Sequence, residues 1–210
     1  HGKVVMPSSQ AVFALEITDP SHTAAVARAL APLLDAGDVV ILTGELGAGK
    51  TTFTRSLGEG LGVREGVISP TFVLSRVHPN LADGPRPGGP DLVHVDAYRL
   101  ASGEELDDLD LEYSLDRSVT VIEWGRDKAE HLSASLLDLE FTRVTGADLA
   151  ETDPYQLYTS SSETDLDEDQ EAPEPRRLRV IASGPRWLSQ RPSAFDRLQQ
   201  ALTHAAPTTE

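Results

Sequence analysis

Gly44-Glu45-Leu46-Gly47-Ala48-Gly49-Lys50-Thr51 spells G-x-x-x-x-G-K-[ST], the residue types and spacing of a phosphate-binding loop. The glycines let backbone N–H groups close around phosphate oxygens, and the helix that follows adds partial positive charge at its N-terminus. Lys50 is expected to reach the β- and γ-phosphates. The Thr51 hydroxyl is expected on Mg2+, with Thr52 completing the binding segment. Lys50 is further expected to stand exposed in an empty loop. A phosphate loop also needs an acid at a strand C-terminus to hold the metal or its waters. Two candidates follow apolar runs: Asp96 after Leu92-Val93-His94-Val95, and Glu123 after Val119-Thr120-Val121-Ile122. Either both act at the γ-phosphate side, or one is tied up structurally by Arg99 or Arg126. His94, two residues before Asp96, shares its strand face; it reads equally as a polar relay or a hydrogen-bonded core histidine. Trp124 contacts nucleotide or partner, or only packs. Tyr98 and Arg99 follow the strand end, with Arg99 a candidate for phosphate charge. Ser69-Pro70-Thr71-Phe72 lies where a nucleotide-sensing segment would sit, or forms a plain turn.

Positioning these groups requires a strand before the loop and a helix after it. Asp38-Val39-Val40-Ile41-Leu42-Thr43 is short, apolar and β-branched, as a buried parallel strand should be. Thr52 to Leu57 has helical spacing, with a stop expected between Gly58 and Gly62. Upstream, Val12 to Ile17 reads as a strand. Asp19-Pro20-Ser21 is a helix-start signal for Ala24 to Leu34, closing near Gly37. Downstream, Thr71 to Val77 is rich in strand formers. Residues 79–90 hold four prolines and three glycines and read as a loop. Glu104 to Leu109 is a short helix with Ser102 as its cap. Leu136 to Val144 and Leu178 to Ala182 are two strands without an intervening helix, hence an antiparallel hairpin. Arg186 to Thr203 ends in a helix. The expected fold class is α/β, a P-loop NTPase-like three-layer fold with a mixed, mostly parallel central sheet.

The 210 residues are expected to form one ATPase domain over 9–150, completed by a final strand and C-terminal helix over 176–204. Residues 1–8, with His1-Gly2 ahead of Met6, are set aside as an unstructured extension. Between the last two strands lies an acidic insertion, 151–175, expected to be disordered. It carries nine carboxylates, no Lys or Arg, and few large apolar residues. It accounts for more than half of the net charge of -16, and that balance argues against charge-driven nucleic-acid binding. The chain has no cysteine, which removes disulfides and thiolate metal sites. No apolar run approaches membrane-spanning length and no signal-peptide pattern is present, so a cytoplasmic protein without membrane association is expected. Guanine-specific GTPases commonly read the base with Asn-Lys-x-Asp, but Asn80, the only asparagine, is not followed by Lys. ATP is therefore the expected nucleotide.

Taken as a set, four motifs resemble the TsaE (YjeE) family. They are Gly44 to Thr52, Ser69-Pro70-Thr71-Phe72, His94-Val95-Asp96-Ala97-Tyr98-Arg99-Leu100, and Ile122-Glu123-Trp124. The resemblance covers roughly residues 10–145 and the final strand. It implies a small Mg2+-dependent ATPase required for threonylcarbamoyladenosine (t6A37) modification of tRNA, weak alone and acting with TsaB and TsaD. Contact with tRNA would then be indirect, through that complex. Carried over, Lys50 would bind phosphates, Thr51 would ligate Mg2+, Glu123 would be the Walker B-like acid, and Asp96 a second acid near the attacking water or metal. The 79–90 loop and the acidic insertion depart from the short family pattern. Two other readings of the loop and its acids remain open here: a small-molecule kinase, and a nucleotide-dependent adaptor without catalysis.

Overall fold

The computed structural model describes residues 10–44, 49–65, 67–68, 75–98, 100, 102–144, 175–190 and 192–207. Eight strands form one sheet: β1 Gln10–Ile17, β2 Val39–Gly44, β3 Val67–Ile68, β4 Ser75–His78, β5 Asp91–Asp96, β6 Ser118–Glu123, β7 Leu136–Arg143 and β8 Arg176–Ser183. Their spatial order is β1-β8-β7-β2-β6-β5-β4-β3. The central strands β7, β2, β6 and β5 pair in parallel, and antiparallel pairs extend the sheet on both sides. The expected mixed sheet with a parallel centre is the observed one. So is the β7–β8 hairpin, whose register closes at Arg143 opposite Arg176.

The alternation of β2 explains the three layers. Val40 and Leu42 point to one face, where they join a large core with Phe13, Phe53, Phe141 and Trp187. Val39 and Ile41 point to the other, a smaller core with Val93, Val95, Leu106 and Ile122. A strand buried on both faces must be apolar throughout, which is why its run lacks polar alternation. The first face is covered by α1 Pro20–Leu30, α2 Lys50–Leu61 and a C-terminal helix over Ala194–His204. The second is covered by α3 Gly103–Asp107 and α4 Glu112–Leu115.

Helix boundaries show where local signals win and where packing does. Asp19 caps α1: its Oδ1 accepts from the His22 N–H at 2.9 Å and from Ser21 Oγ at 2.6 Å. The hydrogen bond from Ser21 holds the Asp19 carboxyl below its ordinary value. The α-helix ends at Leu30, before the expected Leu34, and continues as a 3-10 turn over Ala31–Leu33. Pro32 has no N–H to continue the α-helical bonding. The other helix, α2, runs through Gly58 and Gly60 to Leu61 and is capped by Gly62, within the expected stop. Phe53, Leu57 and Leu61 all face the core and outweigh the weak glycine propensity. The expected Ser102 cap is present, accepting from Glu105 N at 3.4 Å. The final helical region divides into α5 Pro185–Leu188 and α6 Ala194–His204. A reciprocal Ser193–Asp196 capping box starts α6.

The Pro/Gly-rich 79–90 segment is an irregular loop, as expected, and it is tied down. Arg86 Nη1 donates to the carbonyls of Leu34, at 2.8 Å, and Ala31, closing the end of the 3-10 turn. Leu81 N–H donates to Gly62 O at 2.9 Å. Residues 1–8, 69–74 and 145–174, with the expectations placed on them, lie outside the described residues.

Candidate functional site

The site forms where β2, β5 and β6 end together, at the C-terminal edge of the parallel centre. β2 terminates in Gly44, opposite Phe141 of β7. A Cβ at Gly44 would stand 2.6 Å from the Phe141 carbonyl oxygen, so no other residue fits there. The loop residues Glu45, Leu46, Gly47 and Ala48 lie outside the described residues. The chain returns at Gly49, whose φ of 105° is a left-handed conformation that glycine alone adopts without strain, and α2 begins at Lys50. Strand and helix therefore flank that segment in the predicted order.

Lys50 is not exposed, contrary to the sequence expectation; only 6% of its surface is accessible. Its Nζ donates to Gly44 O at 2.7 Å and lies 3.7 Å from the centroid of the Trp124 ring. Burial pushes the ammonium below its ordinary value, against the opposing pull of Glu123 and then Asp96. Thr51 is exposed at the start of α2, and Thr52 is half-buried behind it.

Asp96 and Glu123 are register partners at the ends of β5 and β6, so their side chains leave the sheet on the same face. Two residues earlier in each strand, Val121 and His94 share that face. It is the face on which α2 packs. Glu123 is half-buried. Burial alone would raise its pKa, but His94 and then Lys50 outweigh it, and the carboxyl sits below its ordinary value, ionised at neutral pH. The His94 Nε2 to Glu123 Oε2 distance is 3.7 Å, longer than a hydrogen bond, and that ring nitrogen is otherwise buried without a partner among the described residues. Asp96 is exposed, and its Oδ1 accepts the Tyr98 N–H at 3.0 Å. Glu123 is not tied to Arg126, which removes one structural reading of it: Arg126 instead bridges Asp138 at 2.8 Å and Glu140 at 2.7 Å. Arg99 lies outside the described residues.

Trp124 follows Glu123 with a φ of 61°, a left-handed conformation that costs a bulky residue energy. That backbone turn lays its ring over Lys50 and beside Tyr98, with ring centroids 5.3 Å apart. Tyr98 is 67% exposed. The two loops that carry the acids are joined. Ala97 N–H donates to Glu123 O at 2.9 Å, and Lys128 Nζ donates to Ala97 O at 2.9 Å. Sequence reading missed Lys128 and Arg126 as site supports, because nothing in their spacing points back to the loop after β5 or across to β7.

The donor set suits Mg2+ in its usual form. That ion takes one or two protein oxygens and completes its shell with phosphate and water. A threonine hydroxyl and a carboxylate held ionised match that demand. Among the described residues no group of three or more His, Cys, Asp or Glu could hold a metal by itself. No helix among them is long and apolar enough to cross a membrane.

Fold and site together define a phosphate-loop, nucleotide-binding protein of the three-layer α/β class. The family model described as "Threonylcarbamoyl adenosine biosynthesis protein TsaE" matches residues 17–151, and the chain belongs to the TsaE family. It is similar to the tRNA threonylcarbamoyladenosine biosynthesis protein TsaE of Streptomyces coelicolor, 61% identical over 57% of this chain and 78% of that one. The protein of the same name from Bacillus subtilis is 39% identical over 60% of this chain and 75% of its own length. The crystal structure of Bacillus subtilis YdiB superposes with a TM-score of 0.57 at 25% identity, covering 94% of this chain and 97% of that one.

Proposed function

We propose that this chain binds ATP with Mg2+ and hydrolyses it, and that the turnover serves t6A modification of tRNA in the cytoplasm, in a complex with TsaB and TsaD homologues. The tRNA-modification role rests on membership of the TsaE family. The hydrolytic role rests on one observation above all. Asp96 and Glu123 stand side by side in register on the sheet face that carries α2, with Lys50 and Thr51 at its first turn.

The residues divide the work. Lys50 is poorly solvated and satisfied by a single carbonyl and an aromatic face, so a phosphate oxygen can replace the Gly44 carbonyl at small desolvation cost. Glu123, kept ionised by His94 and Lys50, offers an anionic oxygen where Thr51 offers a hydroxyl. Mg2+ held by those two would neutralise phosphate charge. Among the described residues, Asp96 has one oxygen engaged with the protein, by Tyr98 N–H, and the other is placed to orient water. No tRNA-binding surface is assigned to the chain itself.

Phosphate release, measured alone and with TsaB and TsaD homologues, tests this reading. Slow release that the partners stimulate, with no added acceptor, is expected. Phosphate transfer that depends on an alcohol acceptor would make the chain a kinase. Nucleotide-controlled complex formation without release would make it an adaptor.

A further inference from the structure

A cavity of about 380 Å³ lies between α2 and the strands β4 and β5. Its walls are Thr51, Thr54, Arg55 and Gly58 of α2, and Arg76, His78, Leu92 and His94 of β4 and β5. The turn over 63–65 closes its far end with Arg64. Small-molecule sites commonly begin at about this size.

The charge of the lining is unusual for a chain of net charge -16. Arg55, Arg64 and Arg76 converge on the cavity and are exposed. Arg28, Arg86, Arg126 and Arg186 each find a carboxylate, whereas none of these three forms a salt bridge among the described residues. The cavity also holds Glu59 and Glu65. Glu59 is already paired with Arg28 at 3.1 Å, which leaves Glu65 to oppose three guanidinium groups. Two histidines on the wall add a second, independent observation. The Nε2 atom of His78 is buried without a hydrogen-bond partner among the described residues, and that of His94 faces only Glu123 Oε2, at 3.7 Å. Buried polar atoms are normally satisfied, and an exception calls for an explanation such as a bound water or ligand. His78 Nδ1 donates to Arg64 O at 3.2 Å, so this ring anchors the backbone that carries Arg64. Gly58, Val63 and Leu92 contribute apolar surface between the charged groups.

We propose that this cavity is a second ligand site, distinct from the phosphate loop, for a small molecule bearing an oxyanion group, a carboxylate or a phosphate. Arginine forks bind such groups through charge-assisted, planar hydrogen bonds. A site for polymeric nucleic acid fits less well, because the surrounding protein is acidic and the basic groups are confined to one concavity. Among the residues lining the cavity are Thr51 and His94, the neighbour of Glu123. An anion bound there therefore adjoins the groups assigned to ATP turnover, and nucleotide and anion affinities are coupled reciprocally.

The test uses the full chain with its phosphate loop filled by ADP and Mg2+. The ADP titration comes first; failure at that step counts against the nucleotide site, and the cavity is then read by the same probes without ADP. Inorganic phosphate and, in a separate arm, glutarate are titrated while backbone amide shifts are followed by NMR. Saturable shifts over 54–65, 76–78 and 92–94 are expected with at least one probe, and the tighter probe identifies the oxyanion. The Arg64→Ala/Arg76→Ala variant should weaken that binding at least about tenfold, with ADP affinity unchanged. Arg76→Gln alone should weaken it in the same direction, which covers instability of the double variant. Shifts confined to Gly49–Thr51, shifts that do not saturate with either probe, or equal affinity in wild type and variants would overturn the proposal.

Discussion

Lys50 carries its charge in a place where water scarcely reaches it, and two neighbours compensate: the Gly44 carbonyl and the Trp124 ring. Lys50→Ala should therefore remove ATP turnover and also cost some stability, because Trp124 loses the group it covers. A loss on the order of 1 kcal/mol is expected. Phosphate release and thermal melting check the two parts; turnover at the wild-type rate would remove Lys50 from the site. His78 makes a second prediction. Burial pushes its pKa below the ordinary 6.5 in the folded chain. The unfolded chain then binds more protons below that value, so the stability His78 contributes is complete above pH 6.5 and falls as the pH drops through the depressed folded pKa. Unfolding by urea at pH 7.5 and 5.5 should show a larger loss on acidification for wild type than for His78→Gln. Identical losses would show that the ring is not buried neutral. At this scale the motif spacing made Lys50, Thr51, Asp96 and Glu123 legible. The burial of Lys50 was not legible, because it depends on the left-handed turn at Trp124, and a residue whose side chain disfavours that conformation gives no local sign of it.

The segment 124–129 is the element that holds the two acid-bearing loops in place. Arg126 ties it to Asp138 and Glu140 of β7, Thr43 Oγ1 donates to the other oxygen of Asp138 at 2.9 Å, and Lys128 reaches Ala97. Arg126→Ala leaves two partly buried carboxylates facing one another without their cation, at a cost of about 1–3 kcal/mol. The melting temperature should fall, and kcat should drop several-fold while nucleotide affinity stays near wild type. Arg126→Lys should recover part of both. An unchanged kcat in Arg126→Ala would show that the segment keeps its geometry without the bridge. Elements with strong periodicity or a local cap were legible in the sequence: β1, β2, β5, β6, the β7–β8 hairpin and the starts of α1 and α3. The two-residue β3, the one-turn α4 and the 3-10 turn at Glu130–Leu132 were not, since they are too short to carry a period and exist through tertiary contacts.

The molecule as a whole places its acidic segment after the last two strands have already met. Val144 N–H donates to the Pro175 carbonyl at 3.3 Å, one position beyond the Arg143–Arg176 register pair. Replacing residues 151–174 by a short Gly-containing turn should therefore leave both the melting temperature and ATP affinity close to wild type. A large fall in either would show that the segment packs on the domain. The three-layer arrangement was legible because β2 is apolar on both faces. The outer pairing of β1 with β8 was not, since strand neighbours far apart in the chain leave no local trace. The carboxylate pair is the part of the molecule on which the proposed hydrolysis most directly depends. Single-turnover ATP hydrolysis and ATP affinity, measured side by side for Asp96→Asn and Glu123→Gln, decide it. Hydrolysis lower by about a hundredfold or more, with affinity within about threefold of wild type, is the predicted result. Hydrolysis at the wild-type rate in both variants would contradict it.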